Sequence, residues 1–455
     1  MMFRPLCALF ALLCGVAAHA AAPKPRVFCA DGSPEGFDPS LWDSVGTSNV
    51  TRQIFQGLLG FARGGTALEP KLATAWAVSP DAKTFAFTLR RGVRFHATPW
   101  FTPRREFNAD DVLFTFTRLI DPALPYNRAF PATFVYAQSL GLAGQIEGID
   151  KLGDHEVRFR LKSPNVTFLS YFAMSFAGIH SAEYAAQLLT AGQASAINNR
   201  PVGTGPFKLK SYKKDDVVRM VPHQAYWRPV EQAQQLSQLI FAISREPSVR
   251  VQKLAAGECH VSAALDIAID RNALFKVLFP RGDAMQAVSA FPPAIPGYNT
   301  ALKNEYDPAR AKALLAQMIQ QDWARLGVRA RIKTYEWGEY LKRANNGEHH
   351  VYMSGWSGDT GEADDFLAPN LSCVASRGGI KFFNAEFDRL IEQARTVTDA
   401  ERRNALYREA QLIFKRERPW ITMAHSSVYI PIRRDVKGFV MSPNGSVDFE
   451  GVWRE

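Results

Sequence analysis

A chain of 455 residues, 47% hydrophobic and 22% charged, has the make-up of a globular protein of two or three domains and excludes a disordered or fibrous one. The formal charge is +10, carried by scattered residues such as Arg90-Arg91, Arg104-Arg105 and Lys213-Lys214. No basic stripe interleaves with aromatics, which argues against nucleic acid as a partner; a basic exterior favours contact with anionic lipid headgroups.

Residues 1–20 carry one charge, Arg4, then an apolar run from Leu6 to Ala18 and a small-x-small site at Ala18-His19-Ala20. This predicts a secretory signal peptide cleaved near Ala20 and an exported mature protein. Leu13 before Cys14 argues against lipidation, and no later apolar run approaches the length of a membrane span. Cleavage leaves Cys29, Cys259 and Cys373. Export favours disulfides, three thiols allow at most one internal pair, and the spacings fit no zinc or redox motif.

A short strand is expected at Val27–Cys29, then a turn-rich loop Asp31–Gly36, then a helix capped by Ser48, carrying Val50, Ile54, Leu58 and Leu59 on one face and ended by Gly60. Residues 70–96 read as a β meander: alternation at Thr84–Leu89, turns at Pro80–Lys83 and Arg90–Gly92, and a last strand at Val93–His96. Asn108 caps a helix through Val112, Phe114, Phe116 and Leu119, with acidic residues in its first turn. Strands follow at 156–163, Phe207–Lys210, Val217–Val221 and Leu239–Ile243, and a helix at Ser248–Ala255 closed by Gly257. Pro308–Leu326 reads as one amphipathic helix, 327–335 as a strand, 336–345 as a helix and 384–417 as two helices.

Between them lies Gly355–Phe366. Val351-Tyr352-Met353 reads as a buried strand end, and Gly355, Gly358 and Gly361 punctuate an irregular turn. Trp356 offers a flat surface beside the Asp359 carboxylate, an arrangement suited to a small cation such as an α-ammonium group. The alternative is an acidic surface loop capping a helix at Asp364. Glu362, Asp364 and Asp365 have the residue types of a glycosidase pair. His349-His350 reads as an exposed polar pair sooner than a metal site, and no histidine is tied to a serine elbow.

Trp76, Ser79-Pro80-Asp81, Phe87–Arg90, Gly92–His96 and Asn108–Val112 together resemble the signature of the periplasmic peptide-binding proteins that serve peptide and nickel ABC importers. Cys29–Phe37, Gly203–Phe207, Thr334–Ala344, Gly355–Phe366, Ala424–Val428 and Val436–Phe439 are similar to the dipeptide-binding branch. The resemblance implies an α/β, two-lobed solute-binding fold with an extra subdomain. Residues 21–57, 180–260 and 433–455 would form lobe one, 58–179 a subdomain packed on it, and 261–432 lobe two. It implies a Cys29–Cys259 disulfide with Cys373 free, Asp359 as the α-ammonium partner, and Trp356, Trp337 and Gly36 around the ligand. It also implies a monomer that takes small peptides to an inner-membrane ABC permease with no cofactor, metal or chemical step.

The chain departs from that pattern twice. Gly257–His260 runs at once into a segment similar to a family helix, Val261–Arg271, where the family has a long intervening stretch. Ala316 alone stands where the family has a strand and the arginine that holds the peptide carboxylate. Lobe two is therefore expected to be shortened, and Arg343, Arg377 and Lys381 are the available substitute cations. A homologue that has abandoned dipeptides for haem, glutathione or a protein partner is the alternative, and an exported hydrolase using the acidic cluster is another.

Overall fold

The computed structural model describes residues 24–228, 236–263 and most of 323–454. The expected signal peptide, the joined helix Pro308–Leu326 apart from two helical residues, and Asp359 lie outside the described residues. Three buried cores organise what is described.

The first core surrounds a mixed five-stranded sheet. Strand Lys24–Ala30 is flanked by Leu236–Ile243 and Val261–Ser262, both parallel to it; Val217–Pro222 and Phe207–Lys213 extend the sheet antiparallel. Phe28, Val218, Met220, Leu239, Phe241 and Val261 are buried on it. The helix expected from Ser48 starts earlier. It spans Val45–Ile54, because the Ser44 side chain accepts from Thr47 N and so satisfies a first-turn donor. It ends before Gly60, which instead lies in the short strand Leu59–Phe61. Val261 and Ser262, expected in a helix, pair with Phe28 and Cys29. The fully buried Val261 side chain belongs to the sheet's core rather than to a local helix face.

The second core lies on a four-stranded antiparallel sheet ordered Ala73–Val78, Thr84–Leu89, Glu156–Leu161 and Ile146–Gly153. Alternation places Phe85, Phe87, Val157 and Phe159 inward. Phe87, Phe116, Phe159 and Phe172 meet edge to face or tilted, with ring centroids 4.6–6.0 Å apart. Each such ring contributes about 1.5–3 kcal/mol by burial. Helix Ala109–Ile120 packs here and opens with a capping box between Asn108 and Asp111. Residues 93–96, read as the meander's last strand, are not one. His96 N bonds Gly203 O and Phe107 N bonds Val93 O, so this segment spends its backbone on other loops, and the sheet position goes to Glu156–Leu161.

The third core is built by helices Asp364–Leu371, Ala385–Thr396 and Ala400–Glu417, with Phe366, Leu367, Leu371, Phe387, Leu390, Tyr407 and Phe414 inside. The last two are the expected pair in 384–417. Helix Trp337–Asn345 lies where one was expected. None of the described residues between 327 and 335 is in a strand, and Val351 is 63% exposed, not the end of a buried strand. The chain leaves the first sheet at 260–263 and returns at 430–433 along the same path. Val261 bridges Ile432, Ser262 N bonds Pro431 O and Arg433 N bonds His260 O. Cys29 and Cys259 are joined by a disulfide at the foot of this crossing, and Cys373 is free, as expected.

The first two cores meet at a histidine pair. His96 Nε2 lies 2.9 Å and His223 Nδ1 3.2 Å from the Gly205 carbonyl oxygen, so both rings donate to one acceptor. Burial pushes His223 down to about 4, against the opposing Gly205 bond and with help from Lys208; burial and the neighbouring His223 hold His96 well below its ordinary value. Both rings are neutral in the fold, so their stabilisation is complete above the unfolded value of 6.5 and is lost as pH falls through the folded value. For His223 the expected loss is about 3 kcal/mol. The check is urea unfolding of wild type and His223→Gln from neutral pH to pH about 4; equal pH slopes would refute it.

Candidate functional site

Two loops carry the predicted site residues Gly36 and Trp356. The first, Ser33–Asp38, follows strand Lys24–Ala30 and is held from beneath. Asn198 Oδ1 accepts from Phe37 N at 3.2 Å, Asp38 N at 3.1 Å and Trp42 Nε1 at 3.3 Å. A Cβ on Gly36 would lie 2.2 Å from that oxygen, so only glycine lets the loop sit down on Asn198. The Glu35 carboxylate accepts from Ser44 Oγ at 2.7 Å and from Thr47 Oγ1. Below the loop, Asp38 pairs with Arg118 Nη2 at 2.6 Å and His180 Nε2 at 3.1 Å, all three side chains being 2% exposed or less. Burial alone would raise the Asp38 carboxyl, but Arg118 and His180 overcome it and hold the group well below the carboxylate range.

The second loop enters helix Asp364–Leu371. Trp356 is 39% exposed, so it is available as a wall and is not core. The Trp337 backbone opens helix Trp337–Asn345; its side chain, like Asp359, lies outside the described residues. Gly361, at φ +76°, presses on Thr66, whose Cγ2 would be 2.4 Å from a Cβ there. The acidic cluster is occupied with structure. Asp364 is 2% exposed and receives Arg395 Nε at 2.9 Å and Nη2 at 3.0 Å. Asp365 accepts from Thr360 N at 3.1 Å. Glu362, raised by burial against the pull of Arg403, has Arg403 Nε at 3.9 Å. Asp364 and Asp365 are thus committed to structural partners.

Arg343 is also engaged: its guanidinium meets Glu339 at 2.7 Å and Glu348 at 3.1 Å and lies over the Tyr335 ring. Lys381 is exposed and Arg377 is outside the described residues. His349 packs on Tyr352 with centroids 4.5 Å apart, and among the described residues no three metal-ligating side chains cluster. No helix among them is long and apolar enough to cross a membrane. Sequence reasoning missed Asn198, Arg118 and His180; Asn198 stands 160 residues from the backbone it supports, beyond any local pattern.

The chain is similar to known proteins along nearly its whole length. Di/tripeptide-binding protein 1 of Pseudomonas aeruginosa is 38% identical over 97% of each chain. The dipeptide-binding protein of Escherichia coli is 36% identical over 94% of each, and heme-binding protein A of Haemophilus influenzae 34% over 94% of this chain and 91% of that one. The first alignment runs over 525 positions, more than the 455 residues present, as expected if the relative carries segments this chain lacks. Two solved structures share the fold: a periplasmic binding protein from Helicobacter pylori in complex with peptide STSA (TM-score 0.86, 29% identity, 95% and 98% coverage), and a dipeptide-binding protein from a Pseudoalteromonas species in complex with Met-Leu (TM-score 0.85, 28% identity, 95% and 100% coverage). The architecture is thus the two-lobed α/β solute-binding fold. Residues 67–266 and 314–378 match the model described as bacterial extracellular solute-binding proteins, family 5 Middle, and the chain belongs to that family.

Proposed function

We propose that the mature protein is a periplasmic receptor that closes two lobes on a dipeptide or closely related small peptide and delivers it to an inner-membrane ABC importer. The observation that carries this is the whole-chain match to two peptide-bound receptors. In this reading residues 21–57, 180–260 and 433–455 form lobe one, 58–179 its subdomain and 261–432 lobe two, with the paired crossing at 260–263 and 430–433 as hinge. Closure is the whole mechanism and no bond is made or broken.

Asp359 takes the peptide ammonium, Trp356 and Trp337 wall the side chains, and the propped Gly36 loop meets the peptide from lobe one. The carboxylate end lacks the family arginine, and Arg343 is already paired with two glutamates. A carboxylate enclosed without a cation costs several kcal/mol, whereas a two-pronged arginine contact offsets that burial. Free dipeptides are therefore expected to bind less tightly here than to the full-length relatives.

Calorimetry with Met-Leu and its C-terminal amide tests the reading. Measurable Met-Leu binding with little further loss on amidation is expected. Asp359→Asn should weaken binding by at least about a hundredfold, from the roughly 3–5 kcal/mol lost when an enclosed pair is broken, while Glu362→Gln should matter little. Tight binding of the acid with a large loss on amidation would show that another cation has taken over. Binding of haemin, with no peptide bound, would favour the alternative suggested by heme-binding protein A.

A further inference from the structure

The three-helix core touches the subdomain at places set apart from the Gly36 loop. Gly361 lies on Thr66, at the tip of the turn closed by Ala62 N to Ala67 O. The Arg395 carbonyl, in the last turn of helix Ala385–Thr396, accepts from Val166 N at 2.8 Å, which satisfies an acceptor that the helix end leaves open.

The subdomain side of these contacts is braced. Arg63 Nη2 donates to Gly438 O and Gly64 meets Val440, so the C-terminal return backs the hairpin tip. Asn165 Oδ1 accepts from Thr167 N and Oγ1 at 3.0 and 2.8 Å, and Asn165 N bonds Ala82 O, so the Val166 turn is fixed to the sheet. Opposite stands a helical body with its own core, joined to the first sheet by the paired crossing. A rigid body meeting a braced surface at polar and small-residue contacts is the form of a separable docking face, not of a continuous core.

We propose that Thr66 and Val166 form a closing latch for lobe two: these contacts are made when the lobes close, are lost when they open, and set affinity through the open–closed balance. The inference rests on the receptor reading above. A contact present only in the closed form shifts that balance and so scales the apparent affinity.

The test introduces Thr66→Cys and Glu362→Cys, beside the Gly361–Thr66 contact, together in a Cys373→Ser background, and adds a short bis-maleimide that spans neighbouring thiols. In ligand-free protein a cross-link is expected, with a smaller radius of gyration by small-angle scattering in the linked form than in the unlinked one. No cross-link, or an unchanged radius, overturns the latch. With Met-Leu added, the link should form at least about threefold faster; equal rates in protein that binds Met-Leu also overturn it. Thr66→Trp, a wedge at an exposed tip, should weaken Met-Leu binding about tenfold without lowering the melting temperature of the free protein; unchanged affinity counts against the latch. If wild type gives no heat with Met-Leu or any other small peptide, the receptor reading fails, and the ligand-free cross-link and scattering still decide the latch.

Discussion

Asp38→Ala is expected to lower the unfolding free energy by about 3–5 kcal/mol, because it leaves a buried guanidinium without its carboxylate. Asp38 is fully buried, Arg118 1% exposed and His180 2% exposed, so water cannot stand in for the lost partner. The Tyr126 and Phe134 rings, 5.5 and 5.0 Å from the Arg118 guanidinium, offer partial compensation, which places the expectation nearer the lower figure. Asp38→Asn keeps the shape but not the charge and should cost nearly as much. Arg118→Met combined with Asp38→Asn should recover part of the loss, since removing both charges also removes their desolvation. The pH dependence follows from the depressed carboxyl: its stabilisation is full above the ordinary value of 3.8 and is lost as pH falls through the lower folded value. Urea unfolding of the three variants is the measurement, and a loss below about 1 kcal/mol for Asp38→Ala would remove the triad from the list of major stabilising elements. Asp38 also accepts from Ser40 N at 3.0 Å, two residues after Gly36, so under the proposed receptor function Met-Leu affinity should fall with stability.

Cys29→Ser or Cys259→Ser is expected to cost about 2–5 kcal/mol. The bond joins residues 230 apart in sequence, and closing so long a loop restricts the unfolded chain strongly. Both cysteines are buried, at 0% and 1% exposure, and Cys29 sits in strand Lys24–Ala30 with Ala242 on one side and Ser262 on the other. Cys259 immediately precedes the crossing, where His260 N bonds Val27 O and Val27 N donates to His260 Nδ1 at 3.0 Å. Loss of the bond should therefore loosen this crossing, and the melting temperature should fall. Peptide mapping of unreduced protein checks the pairing: a Cys373 cross-link to either partner, or three free thiols, would sink the prediction. A melting curve insensitive to reductant in protein that maps as Cys29–Cys259 would sink the energetic claim.

Much of the fold was legible where a few neighbouring residues decide the outcome. Thr84–Leu89 alternates and is a strand, and Asn108 three residues before Asp111 is a capping box. Gly257 ends its helix at φ +81° because it tolerates that conformation. Where local signals were ambiguous, they were overruled. Val93–His96 has strand-like composition, but its backbone donors and acceptors are used by Gly203 and Phe107. Val261-Ser262 was read as helical by likeness and was drawn into the sheet beside Cys29. Ser48 is a plausible cap, yet Ser44 reaches a first-turn amide. The disulfide came from resemblance, since three cysteines leave every pairing open.

The site divides along the same line. The sequence by itself determined the two acidic and Gly-rich loops and, through resemblance, the family. Those are properties of residue type and short spacing. Only the tertiary structure decided that Asp364 serves Arg395, that Arg343 is held by Glu339 and Glu348, and that Asn198 props the Gly36 loop while Arg118 and His180 flank Asp38. A charge or amide in a sequence carries no record of which partner will share its burial, and that choice is made by the competition among all buried polar groups for satisfaction when the cores close.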